Sequence, residues 1–317
     1  MSSNLDLDLA GTVPPAGCTV RALVPDQDLE AAYDVYSADQ LEDSGVIAIE
    51  RADLLADWAR PSMDTRADTI GVWRGDRLVA AAEVSRRGTR AEGAVHPDAR
   101  GAGIGTWLAS WVEARATALG SATIGQSVPQ GSAAHRLFAA RPGYRHAHTA
   151  WILELPDGAQ VPDRALPDGY RIRTSETESD HRAAHDVIER AFGEWANRPP
   201  EPYEDWVPGT VERPGYAPWQ LRVVEHDGVI VGACFTVVDD LACGYVDQLA
   251  VAREHRGRGL AQALLADGFR GAREHGATRS ELSTDTRTGA LDLYLKVGMQ
   301  VSNTWVHLVT DLPRPSA

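Results

Sequence analysis

A short glycine-rich motif occurs twice in the 317-residue chain, each time between a predicted strand and a predicted helix. The pattern is Arg-x-x-Gly-x-Gly at Arg100 to Gly105 and Arg-x-x-Gly-x-Ala at Arg256 to Ala261. The two arginines are 256 − 100 = 156 residues apart, close to half of the chain. Because duplication of a whole domain, not a short structural repeat, produces a period of this length, we expect two similar domains.

The elements predicted around the motif repeat as well. A hairpin precedes each motif, turning at Gly75-Asp76 in the first half and at Asp227-Gly228 in the second. After each motif, the hydrophobic pattern predicts a helix, a strand, a second helix and a second strand. Trp151 to Leu155 is expected to close the first half, and Val301 to Val309 is expected to be the last strand.

A stretch rich in proline, aspartate and glycine separates the two copies, which is typical of a linker. We therefore expect an N-terminal domain over 18–155, a linker over 156–168 and a C-terminal domain over 169–311. A tandem pair can bury within one chain the surface that single domains bury as dimers, so a monomer or a weak homodimer is expected.

Composition excludes several classes of function. A formal net charge of −14 opposes nucleic-acid binding. The three cysteines, Cys18, Cys234 and Cys243, lack any C-x-x-C spacing, which predicts reduced thiols. His181 and His185 have no third ligand at a useful spacing, so no metal site is expected. The start of the chain lacks a signal-peptide pattern and no apolar run is long enough for a membrane span, which favours a cytoplasmic protein without a membrane partner.

Each motif can bind an anion, because small residues let the backbone approach a phosphate group and a helix N-terminus attracts negative charge. In their strand, loop and helix setting, the two motifs resemble the GNAT superfamily of acyl-CoA-dependent N-acyltransferases, over nearly all of Thr19 to Asp311. The resemblance implies an α/β (α+β) fold of two tandem domains, each a mixed, mostly antiparallel central sheet flanked by helices. It also implies acetyl-CoA as acyl donor, bound by Val95, Arg100, Gly101, Ala102, Gly103, Ile104 and Gly105 and by Val251, Arg256, Gly257, Arg258, Gly259, Leu260 and Ala261.

The chemistry implied by this resemblance is direct attack of an amine on a thioester, which needs a base, a donor facing the oxyanion and an acid for the thiolate. In the second half, the backbone N–H of Leu249 matches the donor that polarises the carbonyl. Tyr294 matches the tyrosine that protonates the thiolate. Asp247 lies two residues before Leu249, on the same face of the strand, and is the candidate base, either directly or through water. A solvated or ion-paired strand residue is an equally good interpretation of Asp247.

The first half departs from this catalytic pattern. Aligned on the arginines, Gly93 replaces Leu249 and Ala91 replaces Asp247. Phe138 stands where Tyr294 stands, and a phenylalanine cannot donate a proton. We therefore expect the N-terminal domain to keep a coenzyme-binding shape without catalysing the reaction.

The most direct functional prediction is an N-acetyltransferase acting on a primary amine of a small metabolite or antibiotic. A mycothiol-synthase-like acetyltransferase is also consistent with the sequence, because Leu166 to Arg173 resembles the interdomain segment of that tandem enzyme. A non-catalytic acyl-CoA-binding protein and an acyl-CoA decarboxylase would fit the same fold. The segment Ala191 to Trp206 mixes aromatic and acidic residues, which is consistent either with a lid for a cationic amine or with an ordinary proline-rich loop.

Overall fold

The computed structural model of the protein describes residues 13–194 and 200–313. The chain divides into two compact units. The first, called here the N-terminal unit, runs to His148 and takes in the segment from Trp305 onwards. The second, the C-terminal unit, comprises Thr149–Thr304. The predicted linker, 156–168, contains neither helix nor strand.

The helices and strands of the N-terminal unit follow one another in the order expected around the first motif. They are β1 (Thr19–Arg21), α1 (Pro25–Ser44), α2 (Arg51–Trp58), α3 (Thr65–Asp68), β2 (Thr69–Arg74), β3 (Arg77–Ser85), β4 (Arg90–Val95), α4 (Ile104–Ala118), β5 (Thr123–Pro129), α5 (Ala133–Ala140) and the beginning of β6 (Arg145–Glu154).

The C-terminal unit repeats this order around the second motif. Its elements are β7 (Tyr170–Thr174), α6 (Glu178–Gly193), α7 (Tyr203–Trp206), β8 (Leu221–His226), β9 (Val229–Val238), β10 (Cys243–Val251), α8 (Leu260–Glu274), β11 (Arg279–Asp285), α9 (Leu291–Lys296) and the beginning of β12 (Gln300–Asp311).

Both units contain a mixed sheet in which strands lie side by side in chain order, β1 to β5 in one and β7 to β11 in the other. Neighbouring strands are antiparallel, except that β4 pairs with β5 and β10 pairs with β11 in parallel. A parallel pair needs a crossover, and α4 and α8 supply it. The predicted fold class, a mostly antiparallel mixed sheet flanked by helices in each of two tandem domains, is confirmed.

The last strand of each sheet does not come from the stretch that its own half of the sequence would supply. In the C-terminal unit, Ala150 to Glu154 of β6 pairs antiparallel with β11. In the N-terminal unit, Trp305 to Asp311 of β12 pairs antiparallel with β5. The Trp151 to Leu155 strand therefore contributes to the second sheet, and not to the first as expected. Strand partners are chosen by contacts distant in sequence, which local periodicity cannot report.

Helices cover both faces of the sheet in each unit, which explains why β3 and β9 are almost continuously apolar. In the N-terminal unit, Ala81 and Ala94 pack beneath α1 and α2, and alternate residues such as Ala82 pack beneath α4. In the C-terminal unit, Phe235 lies in the cluster with α6 and its neighbour Cys234 lies in the cluster with α8. The two faces matter for function, because the glycine motif opens the helix on one face only.

Within residues 13–194 and 200–313, no helix is long and apolar enough to cross a membrane. The same residues contain no group of three or more His, Cys, Asp or Glu side chains arranged to hold a metal ion. The three cysteines are free, with Cys234 and Cys243 buried.

Candidate active site

The two glycine motifs form the same backbone structure. Gly101 and Gly103 have φ of +79° and +78°, and Gly257 and Gly259 have φ of +75° and +85°. Gly103 and Gly259 are the N-cap residues of α4 and α8. Since only glycine adopts this left-handed conformation readily, the motif sets the direction in which the chain enters the helix. The unpaired N–H groups of each first helical turn then form a site for an anion, as predicted.

The arginines that begin the motifs hold the loops in place. Arg100 Nε donates to the carbonyl oxygen of Val95 at 3.3 Å, and its terminal nitrogens contact Asp43 at 2.9 Å and Asp39 at 2.7 Å. Arg256 Nε donates to the carbonyl oxygen of Val251 at 2.9 Å, and its Nη1 contacts Glu194 at 2.7 Å. Their charges are therefore engaged within the protein. A phosphate in either loop would meet backbone amides, with the arginine acting behind them.

Arg164 was missed at the sequence level because it lies in the predicted linker. A Cβ atom added to Gly259 would collide with the Arg164 side chain, so this side chain lies against the loop of the C-terminal unit. The segment is tied to α8: Gln262 Nε2 donates to the Pro162 carbonyl oxygen at 3.0 Å, and Val161 is buried. Arg164 itself is exposed. A basic residue in an otherwise acidic linker was the signal available in the sequence.

The edge of β10 that follows the motif's strand carries the predicted catalytic backbone. Parallel pairing of β10 with β11 covers only Cys243 to Val246. The register with β9 shifts between Val246 and Gln248, which makes Asp247 the extra residue of a β-bulge. Beyond the bulge, Ala252 N donates to Val231 O of β9. Because orientations alternate along an antiparallel strand, the N–H of Leu249 points away from β9, towards the side where β11 has ended its pairing.

Tyr294 and Leu249 belong to the same group of packed residues, on the α8 face of the sheet. Tyr294 is buried, and burial, together with the nearby Cys234 thiol, raises the pKa of its phenol. The phenol therefore keeps its proton over the physiological range, as an acid must before it can donate. Asp247 is exposed, and its Oδ2 accepts a hydrogen bond from Gln248 Nε2 at 3.1 Å.

The opposite face of β10 is filled by aromatic side chains. Trp206 is buried with 2% exposure and its Nε1 donates to Gln248 Oε1 at 2.8 Å. Tyr203 lies beneath the Arg182 guanidinium, 4.1 Å from its ring centroid. The described part of the predicted lid thus packs as part of the protein core. Residues 195–199 of that segment, Trp195 to Pro199, lie outside the described residues.

The N-terminal unit contains a cavity of about 380 Å³ that starts at its glycine loop and follows β4. Gly93, the counterpart of Leu249, lines it, and so does Phe138, the counterpart of Tyr294. The other lining residues include Val95, Arg100, Gly103 and Gln126. The backbone features of the C-terminal edge recur here: β4 pairs with β5 only at Arg90 opposite Gly125, and beyond that point the two strands separate.

A group of acidic side chains lies at this cavity, and the sequence analysis did not identify it. Glu92 lines the cavity, and Glu83 lies directly opposite Glu92 across β3 and β4. Glu83 is buried and accepts a hydrogen bond from Trp58 Nε1 at 2.9 Å. Burial, with added repulsion from Asp57 and Glu92, raises the pKa of Glu83 to about 8. The signal in the sequence was an acidic residue inside each of two otherwise apolar strands.

Comparison with known proteins agrees with this geometry. The model of the acetyltransferase (GNAT) family matches residues 30–144 and again residues 181–299. A mycothiol acetyltransferase of Salinispora arenicola (strain CNS-205) is 32% identical over 222 residues, which cover 67% of this chain and 69% of that protein.

Two solved structures extend over nearly the whole chain. A GCN5-related N-acetyltransferase of Sphaerobacter thermophilus is 30% identical, with a TM-score of 0.73, and the match covers 96% of this chain and 98% of that one. A tandem GNAT protein from the clavulanic acid biosynthesis pathway is 18% identical, also with a TM-score of 0.73, and the match covers 95% of this chain and 100% of that one. The second likeness concerns the fold alone.

Proposed function

The chain belongs to the acetyltransferase (GNAT) family, and from this premise we propose that it transfers acetyl from acetyl-CoA to a primary amine of a small molecule in its C-terminal unit. Acyl-CoA-dependent N-acetyltransfer follows from the family. The acetyl donor, the kind of acceptor and the residues that act are the proposal. The observation that carries it is the edge of β10, where a bulge, a separating parallel neighbour and a glycine loop follow one another within one strand and turn.

The backbone of each glycine loop fits the pyrophosphate of the coenzyme. No atom lies within 4 Å of where a Cβ would be at Gly101, Gly103 or Gly257, so the space over these residues is open. In the C-terminal unit, Arg164 adds a cation beside the loop. Arg164 forms no ion pair among the described residues, which leaves its charge available for a phosphate. When bound, the coenzyme supplies the thioester carbonyl and the thiolate leaving group.

Three groups of the chain serve the transfer. The Leu249 N–H donates to the carbonyl oxygen as negative charge develops there. Asp247 accepts the proton that the attacking amine loses, directly or through water. Tyr294 donates the phenolic proton to the departing sulfur, which its raised pKa keeps in place until a thiolate forms. Leu249 and Tyr294 lie in one packed cluster, so the donor and the acid serve the same face of the strand.

Release of free thiol from acetyl-CoA, measured with a panel of primary amines, tests this function. Replacing Tyr294→Phe should lower kcat by roughly 100-fold, the usual contribution of a general acid. Tyr216→Phe is the matched control, because the Tyr216 hydroxyl is buried without a hydrogen-bond partner among the described residues and its removal leaves nothing unpaired. Thiol release by the wild type with no amine of the panel would contradict the proposal.

A mycothiol-type acceptor is a second candidate for the same chemistry. The mycothiol acetyltransferase of Salinispora arenicola matches two thirds of this chain. The deacetylated precursor of mycothiol therefore belongs in the amine panel. A kcat/KM for this precursor at least tenfold above that for simple primary amines would establish it as the acceptor class.

A further inference from the structure

The acidic residues of the N-terminal unit lie on the face of the sheet where an acceptor has to approach. Glu83 and Glu92 share that face with Ala81 and Ala94, which pack beneath α1 and α2. The coenzyme loop opens α4 on the other face. A thioester held between the separating ends of β4 and β5 would therefore have the loop on one side and the carboxyl groups on the other.

Two carboxyl groups directly opposite each other across a strand pair destabilise a sheet, and burial adds to the cost. Most of the neighbouring acids are compensated by arginines: Glu92 pairs with Arg90, Asp57 with Arg60, and Asp39 with Arg100. Glu83 is different, because among the described residues it forms no ion pair. An incoming cation would find an uncompensated carboxyl group next to the cavity.

Two buried polar groups near the cavity also lack partners. Gln126 lines the cavity with 6% exposure, and its Nε2 forms no hydrogen bond with any described residue. Tyr144 is close enough to Gln126 for the amide to stabilise the tyrosinate form, yet no well-formed hydrogen bond joins them. On the acidic side, the Tyr36 hydroxyl is buried without a hydrogen-bond partner in the described part of the chain. Buried polar groups without partners are rare in folded proteins and are typical of sites that receive a ligand.

We propose that this cavity is a second acyl-transfer site, in which Glu92 and Glu83 bind a cationic primary amine beside a thioester whose carbonyl oxygen meets the Gly93 N–H and the Gln126 amide. Gly93 corresponds to Leu249, and its N–H points towards β5 because His96 N donates to Val79 O three residues later. The inference rests on the proposed function for its acyl donor, an acyl-CoA, and adds a site that the sequence predicted to be inactive.

The transfer balances without any further reactant. The lone pair of the neutral amine forms the N–C bond to the thioester carbonyl carbon, and Glu92 takes the proton that the nitrogen loses. The C–S bond then breaks and its electron pair stays on sulfur. Because Phe138 cannot donate, the thiolate takes its proton from water, and Glu92 returns its own to solvent. The products are an amide and free coenzyme A.

The experiment separates this site from the C-terminal one by disabling the latter. Thiol release with the amine panel is measured on the wild type and on a Tyr294→Phe, Asp247→Asn parent. We expect the parent to retain turnover with at least one cationic amine, and the addition of Glu92→Gln to lower that residual turnover at least tenfold. Glu30→Gln, an exposed carboxylate of the same unit paired with Arg51, is the charge-matched control and should change turnover less than twofold.

Gln126→Leu distinguishes a ligand-binding role from a structural one. Replacing an unsatisfied buried amide by an apolar group of similar size should raise the melting temperature, while residual turnover of the parent falls. Residual turnover that is absent in the parent, or unchanged by both Glu92→Gln and Gln126→Leu, would overturn the second site. Loss of all turnover in the parent with an active wild type would leave the proposed function standing. An inactive wild type would overturn both.

Discussion

The two units place opposite chemistry at the same pair of positions. Counting from the strand ends, Glu83 opposite Glu92 in the N-terminal unit corresponds to Phe235 opposite Gln248 in the C-terminal unit. The carboxyl pair borders a cavity. The phenylalanine is buried in the core, and the glutamine is bound by Trp206.

This difference shows which parts of a duplicated domain can change independently. The glycine loops need only a backbone conformation, and both units retain it. The acceptor side needs particular side chains, and there the units share nothing. The thiolate side differs in the reverse direction, with Tyr294 in one unit and Phe138 in the other. One unit thus combines a proton donor with an aromatic acceptor side, and the other combines acidic side chains with no tyrosine at that position.

The largest expected effect comes from charge in the loops. Gly257→Asp should weaken CoA binding to the C-terminal unit at least 100-fold, and Gly101→Asp should do the same in the N-terminal unit, because a carboxylate would face the phosphate at close range. Both positions have open space for a side chain and positive φ. Isothermal titration should show two sites in the wild type and one in each variant. Alanine at the same positions separates backbone strain from charge, and two sites persisting in either aspartate variant would refute the loop assignment.

The second effect concerns stability against pH in the N-terminal unit. Because the folded pKa of Glu83 is about 8, above its ordinary value, folding retains a proton that the unfolded chain releases. The stability is complete below about pH 4.5 and is lost as pH rises towards 8, by an amount on the order of a few kcal/mol. Glu83→Gln, which stays neutral and can still accept from Trp58, should flatten this decline.

Denaturant unfolding between pH 5 and pH 8.5 measures the slope for the wild type and for Glu83→Gln. Asp57, whose pKa is raised mainly by burial, should leave a smaller residual slope of the same sign. The exposed Glu30→Gln control should keep the wild-type slope. Equal slopes in wild type and Glu83→Gln would show that the carboxyl group is ionised in the folded protein.

A smaller effect is expected for the linker arginine. Arg164→Ala should weaken CoA binding at the C-terminal unit about tenfold, the value of one lost charge-assisted contact, and leave the N-terminal site unchanged. Arg190→Ala, an exposed arginine on α6, is the control. Titration of the Gly101→Asp protein isolates the C-terminal site. An affinity that rises on removing Arg164 would instead identify the segment as a competitor for the loop.

The smallest effect would sharpen the comparison by transferring one feature between units. Phe138→Tyr, made in the Tyr294→Phe, Asp247→Asn parent, should raise residual thiol release a few-fold by placing a phenol beside the N-terminal cavity. The change adds one buried hydroxyl, so melting temperature must be followed in parallel. Unchanged turnover in a folded variant would mean that the thiolate leaves without help in this unit.

Much of the architecture was predictable from local pattern. The duplication, the two hairpins and the glycine loops before α4 and α8 all depend on residues close in sequence, and the fold class inferred from them is confirmed. The bulge at Asp247 was not visible in the strand pattern, because it is defined by the register with β9. The roles of Asp247, Leu249 and Tyr294 stay predictions, now with a geometry that agrees with them.

Sequence alone settled the positions of the two loops, because a left-handed backbone conformation at a helix start requires glycine and therefore leaves a readable signature. Tertiary structure alone decided which strand completes each sheet, that Arg164 lies on a loop about a hundred residues away, and that Glu83 faces Glu92. These features depend on pairing and packing between distant segments, and each residue's identity carries no record of its partner. The duplicated motif identifies where an acyl-CoA can bind, and the residues brought to the sheet from elsewhere determine what can react with it.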